Sequence, residues 1–587
     1  MRWLLRNADP QDVQRLACES NLPPSLARLL VVRGIRSAEQ AHKFLTPSLQ
    51  DLHDPYLLTG LGVAVARLRA AIEQGETVLI YGDYDVDGTT AIVILKTALE
   101  LCDGKVDYHV PHRIRDGYGM RDEVIEQAAE RGIRLIVSVD TGIRAFAAAA
   151  TAERCGVDLI VTDHHLPQAD GVPKALAVVN PNQPGCEYPC KSLCGAGVAF
   201  KIAQALLVES GRERLLPSFL KMVAIATIAD AVPLTGENRV FAKLGLQGLR
   251  KPVNAGLRAL LSNCDLDGSR PLSASDIAFR VAPRLNAAGR MDIAERVIQL
   301  FTEKDPGKAA EMAMQLDALN GNRQQEEQRI LEEIQHKIES SPEMKDAYCL
   351  VIDGEGWHRG VIGICATRVV ERYHRPALVF SCENGEAHGS GRSISAFHLL
   401  DALESCPELF TRYGGHSHAV GCALPVERIP DLRSRLDAYA RQRLRPEDFV
   451  PVLEYDAEVS LDDVNHDFWL SLQRLEPFGT GNPLPVFVSR STKLIQPARV
   501  LKEKHLKLRV LPGEADGDRS WRRAHDVLGW RMADRVAQES LLAGDLLDLA
   551  FTIGYNEHPE LGGVQLNLID FARTTAVVTA AVTGQNS

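Results

Sequence analysis

Short apolar runs rich in β-branched residues alternate with alanine-rich stretches of helical length from residue 76 onwards. The runs are TVLIYG, LIVSVD, DLIVTD and LAVVNP, and the stretches include AIVILKTALEL and AFAAAATAERCG. Strands that are apolar on both faces must be covered on both sides, and helical crossovers between them make the strands parallel. The pattern therefore predicts an α/β fold with a doubly wound parallel sheet.

The length of the chain predicts several structural units, because 587 residues exceed what one hydrophobic core serves. The segment 322–338 carries isoleucine at four-residue spacing among many charges, which is typical of a helix that bridges two domains. A second α/β pattern follows it, and short alternating strands beyond about residue 450 predict a small β-barrel. We expect a cap (1–70), a first lobe (71–320), a connecting helix (321–345), a second, smaller lobe (346–445) and a barrel (450–575).

Composition excludes some classes of protein. The net charge of −11 argues against binding nucleic acid by bulk charge, although a local basic channel stays possible. The chain has no signal-peptide core at its start and no apolar run of about 18 residues, so we expect a cytoplasmic protein that is not bound to a membrane.

Three cysteines lie close together in the sequence. Cys186, Cys190 and Cys194 are spaced like a metal-binding loop that lacks a fourth ligand. We expect free thiols, with a structural metal as the alternative.

Acidic residues and histidines follow three of the predicted strands. They are Asp83, Asp85 and Asp87 after the first, Asp140 after the second, and Asp163, His164 and His165 after the third. The carboxyl ends of neighbouring parallel strands converge on one crevice, where ligands bind. Asp230, which closes the apolar segment ATIAD, is a further candidate for this crevice. Acids so close together repel one another, so the pattern indicates a bound cation.

The donor set indicates which cation. Oxygen ligands with one or two imidazoles suit Mn²⁺ or Mg²⁺ better than structural Zn²⁺. Several carboxylates can hold two such ions about 3.5–4 Å apart, an arrangement that catalyses displacement at phosphorus. We therefore expect phosphoester hydrolysis. A calcium loop is the local alternative, but the segment 83–88 lacks that loop's closing glutamate and a helix on each side.

Four motifs resemble the signatures of the DHH phosphoesterase superfamily: YGDYDVDG, SVDTG, TDHH and ATIADAVPL. Further segments resemble the bacterial RecJ family within it: PHRIRDGYG, NPNQPGCEYPCKSLCGAGVAFK, FRVAPRLNAAGRM, GWHRGVIGICATRV, GSGRS, RYGGHSHAVG and LEPFGTGNPLPVF. Together they cover residues from about 50 to 490. The resemblance implies a DHH lobe, a smaller α/β DHHA1 lobe joined to it by a long helix, and a C-terminal OB-like β-barrel.

The resemblance also implies an activity and partners. Members of this family degrade single-stranded DNA from the 5′ end to mononucleotides by two-metal hydrolysis, with Mn²⁺ or Mg²⁺, in recombination and in mismatch or excision repair. It implies single-stranded DNA, single-strand-binding protein and a RecQ-type helicase as partners, and a monomer. Within the superfamily, a phosphoesterase for small substrates and a non-catalytic relative are the alternatives. The predicted cap and barrel argue against the first, and the presence of every expected acid and histidine argues against the second.

Carried over by motif, the resemblance implies a metal-binding set of Asp83, Asp85, Asp87, Asp140, His164 and Asp230. In this assignment Asp140 bridges two ions, and His164 holds one of them with Asp87 and Asp230. His165 faces the scissile phosphate as a donor, and Asp163 orients the imidazoles. His165, Asp163 and Asp140 are therefore the expected catalytic residues.

Other residues in these motifs are candidates for holding DNA. They are Arg113, Arg284, Arg290, Ser390, Arg392 and His416. The planar guanidinium of arginine suits bidentate contact with phosphate, although an isolated arginine more often forms a surface ion pair. The predicted barrel carries the most basic stretch of the chain, formed by Lys502, Lys504, Lys507, Arg509, Arg519, Arg522, Arg523 and Arg531 with Trp521 and Trp530 among them. Basic residues with aromatic platforms suit sequence-tolerant binding of single strands.

Overall fold

A computed structural model describes residues 1–117, 119–266, 268–291, 293–512, 524–556 and 562–574. The chain divides into two compact units. One consists of Pro47–Pro451 with Gly479–Gly481, and the other of Met1–Thr46, Val452–Phe478 and Asn482–Ser587. The predicted cap of residues 1–70 is therefore divided between the two units. The predicted α/β multidomain fold with a parallel-sheet lobe, a second α/β lobe and a C-terminal barrel is confirmed.

Residues 1–46 form one strand and three helices: β1 (Arg2–Leu5), α1 (Pro10–Ser20), α2 (Pro24–Val32) and α3 (Ala38–Leu45). The strands of the first lobe are β2 (Thr77–Gly82), β3 (Lys105–His109), β4 (Leu135–Val139), β5 (Asp158–Thr162) and β6 (Ala177–Val179). Its helices are α4 (Leu61–Gln74), α5 (Val86–Leu101), α6 (Asp122–Glu130), α7 (Phe146–Cys155), α8 (Gly195–Glu209), α9 (Leu216–Ala229), α10 (Gly236–Leu249), α11 (Ala255–Asn263), α12 (Ala274–Asp276), α13 (Ala282–Met291), α14 (Glu295–Thr302) and α15 (Pro306–Ser340). A π-helical segment, Ile277–Val281, joins α12 to α13.

The sheet of the first lobe has the strand order β3-β2-β4-β5-β6, and every pair is parallel. Helices α4, α5 and α8 pack on one face, and α6 and α7 pack on the other. The register pairs Gly82 with Val139 and Val139 with Thr162, so β2, β4 and β5 end at the same level. This alignment places the residues that follow the three strands side by side.

The helix α15 connects the two lobes. It begins at Pro306 rather than at residue 321, because the Asp305 side chain caps its first turn by accepting a hydrogen bond from the backbone N–H of Lys308. It ends at Ser340. Ile330, Ile334 and Ile338 are buried against the sheet of the second lobe.

The second lobe contains α16 (Pro342–Asp346), β7 (Leu350–Glu355), α17 (Ile362–Tyr373), β8 (Ala377–Glu383), β9 (Glu386–Arg392), α18 (Leu399–Glu404), β10 (Arg412–His416), β11 (Ala419–Pro425) and α19 (Ile429–Arg441). Its sheet has the order β10-β11-β9-β8-β7, in which β7 and β8 are parallel and the other pairs are antiparallel. The alternation of side chains along β9 places Ser390 and Arg392 on one face.

The other unit contains the barrel. Its elements are β12 (Val452–Tyr455), β13 (Ala457–Glu458), α20 (His466–Gln473), β14 (Phe487–Leu494), β15 (Arg499–Leu501), β16 (His505–Leu511), β17 (His525–Gly529), α21 (Ala533–Glu539), β18 (Leu546–Asn556) and β19 (Gly563–Arg573). Seven strands form one sheet in the order β13-β14-β18-β19-β17-β16-β15, and β14 also pairs with β16. Arg519, Trp521, Arg522 and Arg523, predicted to contact DNA, lie outside the described residues.

Within the described parts of the chain, no single helix is long and apolar enough to cross a membrane. One sharply bent pair of helical segments, Leu49–Leu57 with Leu61–Gln74, has the length and the apolar composition of a broken membrane-spanning segment, judged by these two properties alone.

Candidate active site

Acidic side chains and histidines meet at the carboxyl edge of the parallel sheet. Asp83, Asp140 and Asp163 each follow a strand, and all three are buried. His164 Nε2 lies 3.2 Å from Asp140 Oδ1. It also lies 3.7 Å from Asp87 Oδ2 and 3.8 Å from Asp230 Oδ2. One imidazole nitrogen therefore faces three carboxylates.

The carboxylates of Asp83, Asp85, Asp87, Asp140 and Asp230 are called the acidic cluster below. Together with the histidines they form three groups whose possible ligand atoms lie within 4.8 Å of one another. The groups are Asp87–His164–Asp230, Asp83–Asp85–Asp140 and Asp140–His164–His165. The first two share no residue, and the third shares a residue with each of them. The cluster therefore offers two adjacent positions for a cation.

Backbone amides hold Asp87 in place. Its two carboxylate oxygens accept hydrogen bonds from the N–H groups of Gly195 (2.6 Å) and Ala196 (2.8 Å), at the amino end of α8. A helix amino end stabilises a negative charge in this way. A Cβ atom at Gly195 would lie only 2.5 Å from Asp140 Cβ, so this position requires glycine. The sequence does not predict this role of Gly195 and Ala196, because a hydrogen bond from a backbone amide leaves no pattern in the side chains. We call these two N–H groups the amide anchor of Asp87.

Two buried oxygens of the cluster lack hydrogen bonds. Among the described residues, nothing donates to Asp83 Oδ1 or to Asp140 Oδ1. Burial, and then repulsion from neighbouring aspartates, raises the pKa of Asp83 and of Asp140, and raises that of Asp230 to about 9. Unpaired, buried, oxygen-rich donors of this kind are costly without a hard divalent cation. The residues present therefore fit Mn²⁺ or Mg²⁺.

Asp163 binds both histidines rather than joining the cluster. Its carboxylate accepts hydrogen bonds from the backbone N–H groups of Ile143 (2.9 Å) and His164 (2.7 Å), and it lies 2.7 Å from His165 Nδ1. Burial would raise the pKa of Asp163, but the hydrogen bonds from His165 and the backbone lower it. Burial would lower the pKa of His165, but Asp163 raises it to about 9. Asp163 therefore orients the His165 ring and favours its charged form.

A cleft of about 1280 Å³ adjoins the cluster between the two lobes. Arginines from both lobes line it: Arg113, Arg115, Arg121, Arg290, Arg359, Arg368, Arg392 and Arg412. We call this the arginine cleft. Ser390 lies within it, as do the predicted contact residues Arg113, Arg290 and Arg392. Arg359 and Arg412 were not nominated from the sequence, although both lie within or beside motifs quoted for the family resemblance.

Several of these arginines form no ion pair with a carboxylate of the described residues. In the described part of the chain, Arg113, Arg290, Arg359, Arg392 and Arg412 make no ion pair with a carboxylate. Burial and the neighbouring charges of Arg113 and Arg323 lower the pKa of Arg290 to about 10. Crowded cations that form no direct ion pair favour an anionic ligand.

Tyr84 joins the arginine cleft to the acidic cluster. It stands between Asp83 and Asp85 in the chain, and its ring lines the cleft. The guanidinium carbon of Arg113 lies 4.8 Å from the ring centroid. An anion bound by Arg113 would therefore lie next to the carboxylates.

Two predicted contact residues lie elsewhere. Arg284 does not line the cleft, because its guanidinium donates to Asp317 Oδ1 (2.7 Å) and to the carbonyl oxygen of Arg280 (2.6 Å). His416, at the end of β10, is exposed and is not among the residues that line the cleft. Sequence position within a motif did not predict these orientations.

The remaining alternatives from the sequence are resolved in part. Cys186, Cys190 and Cys194 are buried free thiols, and none belongs to the metal-binding groups found among the described residues. The segment 83–88 lies between the strand β2 and the helix α5, not between two helices, so it differs from a helix-flanked calcium loop.

Two of the barrel residues predicted to contact DNA differ in their surroundings. Lys507 pairs with Asp526 at 2.8 Å, and Trp530 is 58% exposed.

A parallel-sheet lobe with this cluster, covered by a second lobe, defines a phosphoesterase of the DHH type. Residues 77–227 match the N-terminal domain of the DHH family, residues 346–442 match the DHHA1 domain, and residues 455–570 match the RecJ OB domain. The match to the RecJ OB domain lies outside the two lobes, so it disfavours the alternative of a two-lobed phosphoesterase for small substrates. The chain belongs to the RecJ family of single-stranded-DNA-specific exonucleases.

Individual relatives support this assignment along the chain. The chain is 37% identical over 577 residues to the Bacillus subtilis single-stranded-DNA-specific exonuclease RecJ, covering 97% of this chain and 71% of the relative. It is 36% identical over 528 residues to the Escherichia coli RecJ, covering 86% and 90%. A crystal structure of Thermus thermophilus RecJ with Mn²⁺ superposes with a TM-score of 0.82 at 29% identity, covering 98% of this chain and 80% of that one. The same protein has been solved with Mg²⁺.

Proposed function

We propose that this protein is a metal-dependent exonuclease that degrades single-stranded DNA from its 5′ end to mononucleotides by two-metal hydrolysis. One observation carries the proposal: the acidic cluster and the arginine cleft adjoin at Tyr84, whose neighbours Asp83 and Asp85 belong to the cluster. A cation site beside an anion site is what cleavage of a phosphodiester requires. The names of the relatives support DNA as the substrate.

The cluster supplies the ligands in this proposal. Asp87, His164 and Asp230 would hold one ion, Asp83 and Asp85 would hold the other, and Asp140 belongs to the groups on either side. When bound there, Mn²⁺ or Mg²⁺ would supply Lewis acidity at phosphorus and lower the pKa of water. The amides of Gly195 and Ala196 keep the Asp87 carboxylate in one orientation, so the ligand set is preorganised.

His165 is the proposed donor to the scissile phosphate. Its Nδ1 lies 2.7 Å from Asp163 Oδ1, so Nε2 is the nitrogen proposed to donate to a phosphate oxygen. The His165 side chain is 43% exposed, whereas that of Asp163 is buried. Asp163 is therefore a positioning residue that sets the orientation of the ring.

The arginine cleft holds the DNA end. Arg113, Arg290 and Arg392, with Ser390, bind the terminal 5′-phosphate or the backbone next to the scissile bond. The cleft lies between two lobes, and the exclusion of a duplex by its width is part of the proposal. The described barrel residues Lys502, Lys504, Lys507 and Arg509, with Trp530, are the proposed contacts of the barrel with single-stranded DNA.

The biological setting is proposed from the family. It comprises recombination and mismatch or excision repair, a monomeric enzyme, and single-strand-binding protein with a RecQ-type helicase as partners.

One digestion experiment tests the proposal. A single-stranded oligonucleotide is labelled separately at each end, with and without a 5′-phosphate, and is digested in Mg²⁺ or in Mn²⁺, with a blunt duplex as control. We expect the 5′ label to appear first as a mononucleotide, the 3′ label to remain in a shortening ladder, and the duplex to resist. Early release of a 3′ mononucleotide, or internal cleavage, would contradict the proposed polarity.

A further inference from the structure

The end of strand β6 supplies amide side chains at the edge of the sheet where β2, β4 and β5 supply acids. Val179 of β6 pairs with Thr162 of β5, so Asn180 follows β6 at the level where Asp163 follows β5. Residues 180–194, called the asparagine loop below, then lead to the amino end of α8. None of them belongs to the metal-binding groups found among the described residues. The asparagine loop therefore adjoins the acidic cluster but contributes no member to these groups.

Two side chains of the asparagine loop bind the backbone of the two histidines. The side-chain amide of Asn182 donates a hydrogen bond to the carbonyl oxygen of His164 (2.7 Å). The amide of Asn180 donates to the carbonyl oxygen of His165 (2.9 Å), and its oxygen accepts from the backbone N–H of Asn182 (2.7 Å). Asn180 is buried. A buried amide that uses both its donor and its acceptor holds its partners in one arrangement.

These contacts matter because of where the two histidines lie in the chain. His164 and His165 stand between β5 and β6 and outside both strands, so no ladder of hydrogen bonds fixes their backbone. Asp163 accepts hydrogen bonds from the N–H groups of both histidines, at 2.7 Å and 3.1 Å. The two asparagines donate to the carbonyl oxygens of the same two residues. Side chains therefore hold both ends of the backbone from which the imidazoles extend.

The asparagine loop is also tied to two other parts of the acidic cluster. Its last residue leads directly into the amide anchor of Asp87. Asn238, in the first turn of α10, donates to the carbonyl oxygens of Ser192 (2.6 Å) in the loop and of Pro233 (3.1 Å). Pro233 lies three residues after Asp230. The loop therefore braces the segments that carry all three proposed ligands of one ion.

We propose that Asn180 and Asn182 are positioning residues of the nuclease reaction and that they act through different histidines. Asn182 holds the backbone of His164 and thereby directs its Nε2 towards the acidic cluster. Asn180 holds the backbone of His165 and thereby places the donor to the scissile phosphate. The inference rests on the proposed function, because it uses the roles that the two histidines have there.

The test compares Asn182→Ala and Asn180→Ala with the unmodified full chain. Calorimetric titration of the metal-free protein with Mn²⁺, without DNA, should show about tenfold weaker binding for Asn182→Ala, because His164 is a proposed ligand. Asn180→Ala should bind Mn²⁺ within about threefold of the unmodified protein but lose about tenfold in kcat at saturating Mn²⁺. KM for a single-stranded oligonucleotide should change by less than about twofold in both variants.

Gln183→Ala is the matched control within the same loop. The side-chain amide of Gln183 also donates to backbone carbonyl oxygens, those of Val178 (2.7 Å) and Thr59 (3.0 Å), but neither residue is a histidine or an acid. We expect its Mn²⁺ affinity and its kcat to stay within about twofold of the unmodified values. Its Tm should fall by an amount similar to that of Asn182→Ala, because each variant loses hydrogen bonds to the backbone.

Three results would overturn the proposal. They are an unchanged Mn²⁺ affinity in Asn182→Ala, equal losses in Gln183→Ala, and a raised KM in place of a lowered kcat in Asn180→Ala. If Asn180→Ala does not fold, Asn182→Ala still tests the proposal, because that side chain is only half-buried. Since the Mn²⁺ titration contains no DNA, it tests the role of Asn182 even where the digestion experiment contradicts the proposed function.

Discussion

The acidic cluster and the arginine cleft are two groups of like charge that adjoin one another, but they are assembled differently. The cluster belongs to one lobe, and strand ends and helix termini fix its members. The cleft combines Arg113 and Arg290 from the first lobe with Arg359, Arg392 and Arg412 from the second. The cluster is therefore preorganised within one sheet, whereas the cleft depends on how the two lobes are placed. Changes in the cluster should affect catalysis, and changes in the cleft should affect binding.

Removal of Asp140 should produce the largest effect. The Asp140→Ala variant loses the carboxylate that lies between the two candidate cation positions, and we expect nuclease activity to fall by about 1000-fold or more. The arginine cleft is untouched, so affinity for a single-stranded oligonucleotide should stay within about threefold. Single-turnover digestion and anisotropy measure the two quantities. Substantial activity in the purified variant would contradict the metal assignment.

A methyl group at residue 195 should have the next largest effect. Gly195→Ala places a Cβ atom 2.5 Å from Asp140 Cβ and beside the amide anchor of Asp87, so the cluster must shift. We expect a loss of about 100-fold in kcat, since small misplacements of catalytic groups are that costly, and weaker Mn²⁺ binding in a titration.

Gly197→Ala is the matched control for this variant. It adds the same methyl group to the same helix, but the nearest atoms lie at 3.5 Å, an ordinary contact. We expect activity and Mn²⁺ affinity close to those of the unmodified protein. Equal losses in the two variants would mean that α8 tolerates no substitution and that the amide anchor has no special role.

The difference between cluster and cleft also explains what the sequence could predict. Asp83, Asp140 and Asp163 could be placed together because parallel strands present their carboxyl ends at one edge. The order of strands and acids was enough for that conclusion. The anchor formed by Gly195 and Ala196 could not be predicted, because it is made of backbone amides and depends on where α8 begins.

The arginine cleft was less predictable, because the direction in which each side chain points matters as much as its position in the sequence. Arg284 and Arg290 occur in one motif and one helix, but six residues of α-helix rotate them about 120° apart. Arg290 lines the cleft, and Arg284 turns towards Asp317. Arg359 and Arg412 belong to the second lobe, and no local pattern specifies which surfaces of two lobes meet.

Removal of a cleft arginine should have a moderate effect, mainly on binding. We expect Arg392→Ala to raise KM for a 5′-phosphorylated oligonucleotide by about tenfold, with a smaller change for the 5′-hydroxyl substrate. Arg284→Ala is the control that the structure supplies, and its KM should change by less than about twofold. If the two variants behaved alike, the cleft would not be the site of the DNA end. Steady-state kinetics on both substrates decide between these outcomes.

The smallest effect concerns stability and its dependence on pH. Burial, Asp87 and Asp85 raise the pKa of Asp230 to about 9, and the pKa values of Asp83 and Asp140 are also raised by burial and neighbouring acids. A carboxyl whose folded pKa exceeds its unfolded value of 3.8 stabilises the fold most below pH 3.8 and loses that contribution as pH rises through the folded pKa. The metal-free protein should therefore lose stability as pH rises from 3.8 to about 9, and Mn²⁺ should restore more of it at the higher pH. We expect the gain in Tm on adding Mn²⁺ to be about 5 °C larger at pH 8.5 than at pH 5.5.

Asp230→Asn should flatten this dependence of the Tm gain on pH, whereas Glu311→Gln, at an exposed acid outside the cluster, should leave it unchanged. A gain that is independent of pH in the unmodified protein would mean that repulsion within the acidic cluster does not destabilise the metal-free fold.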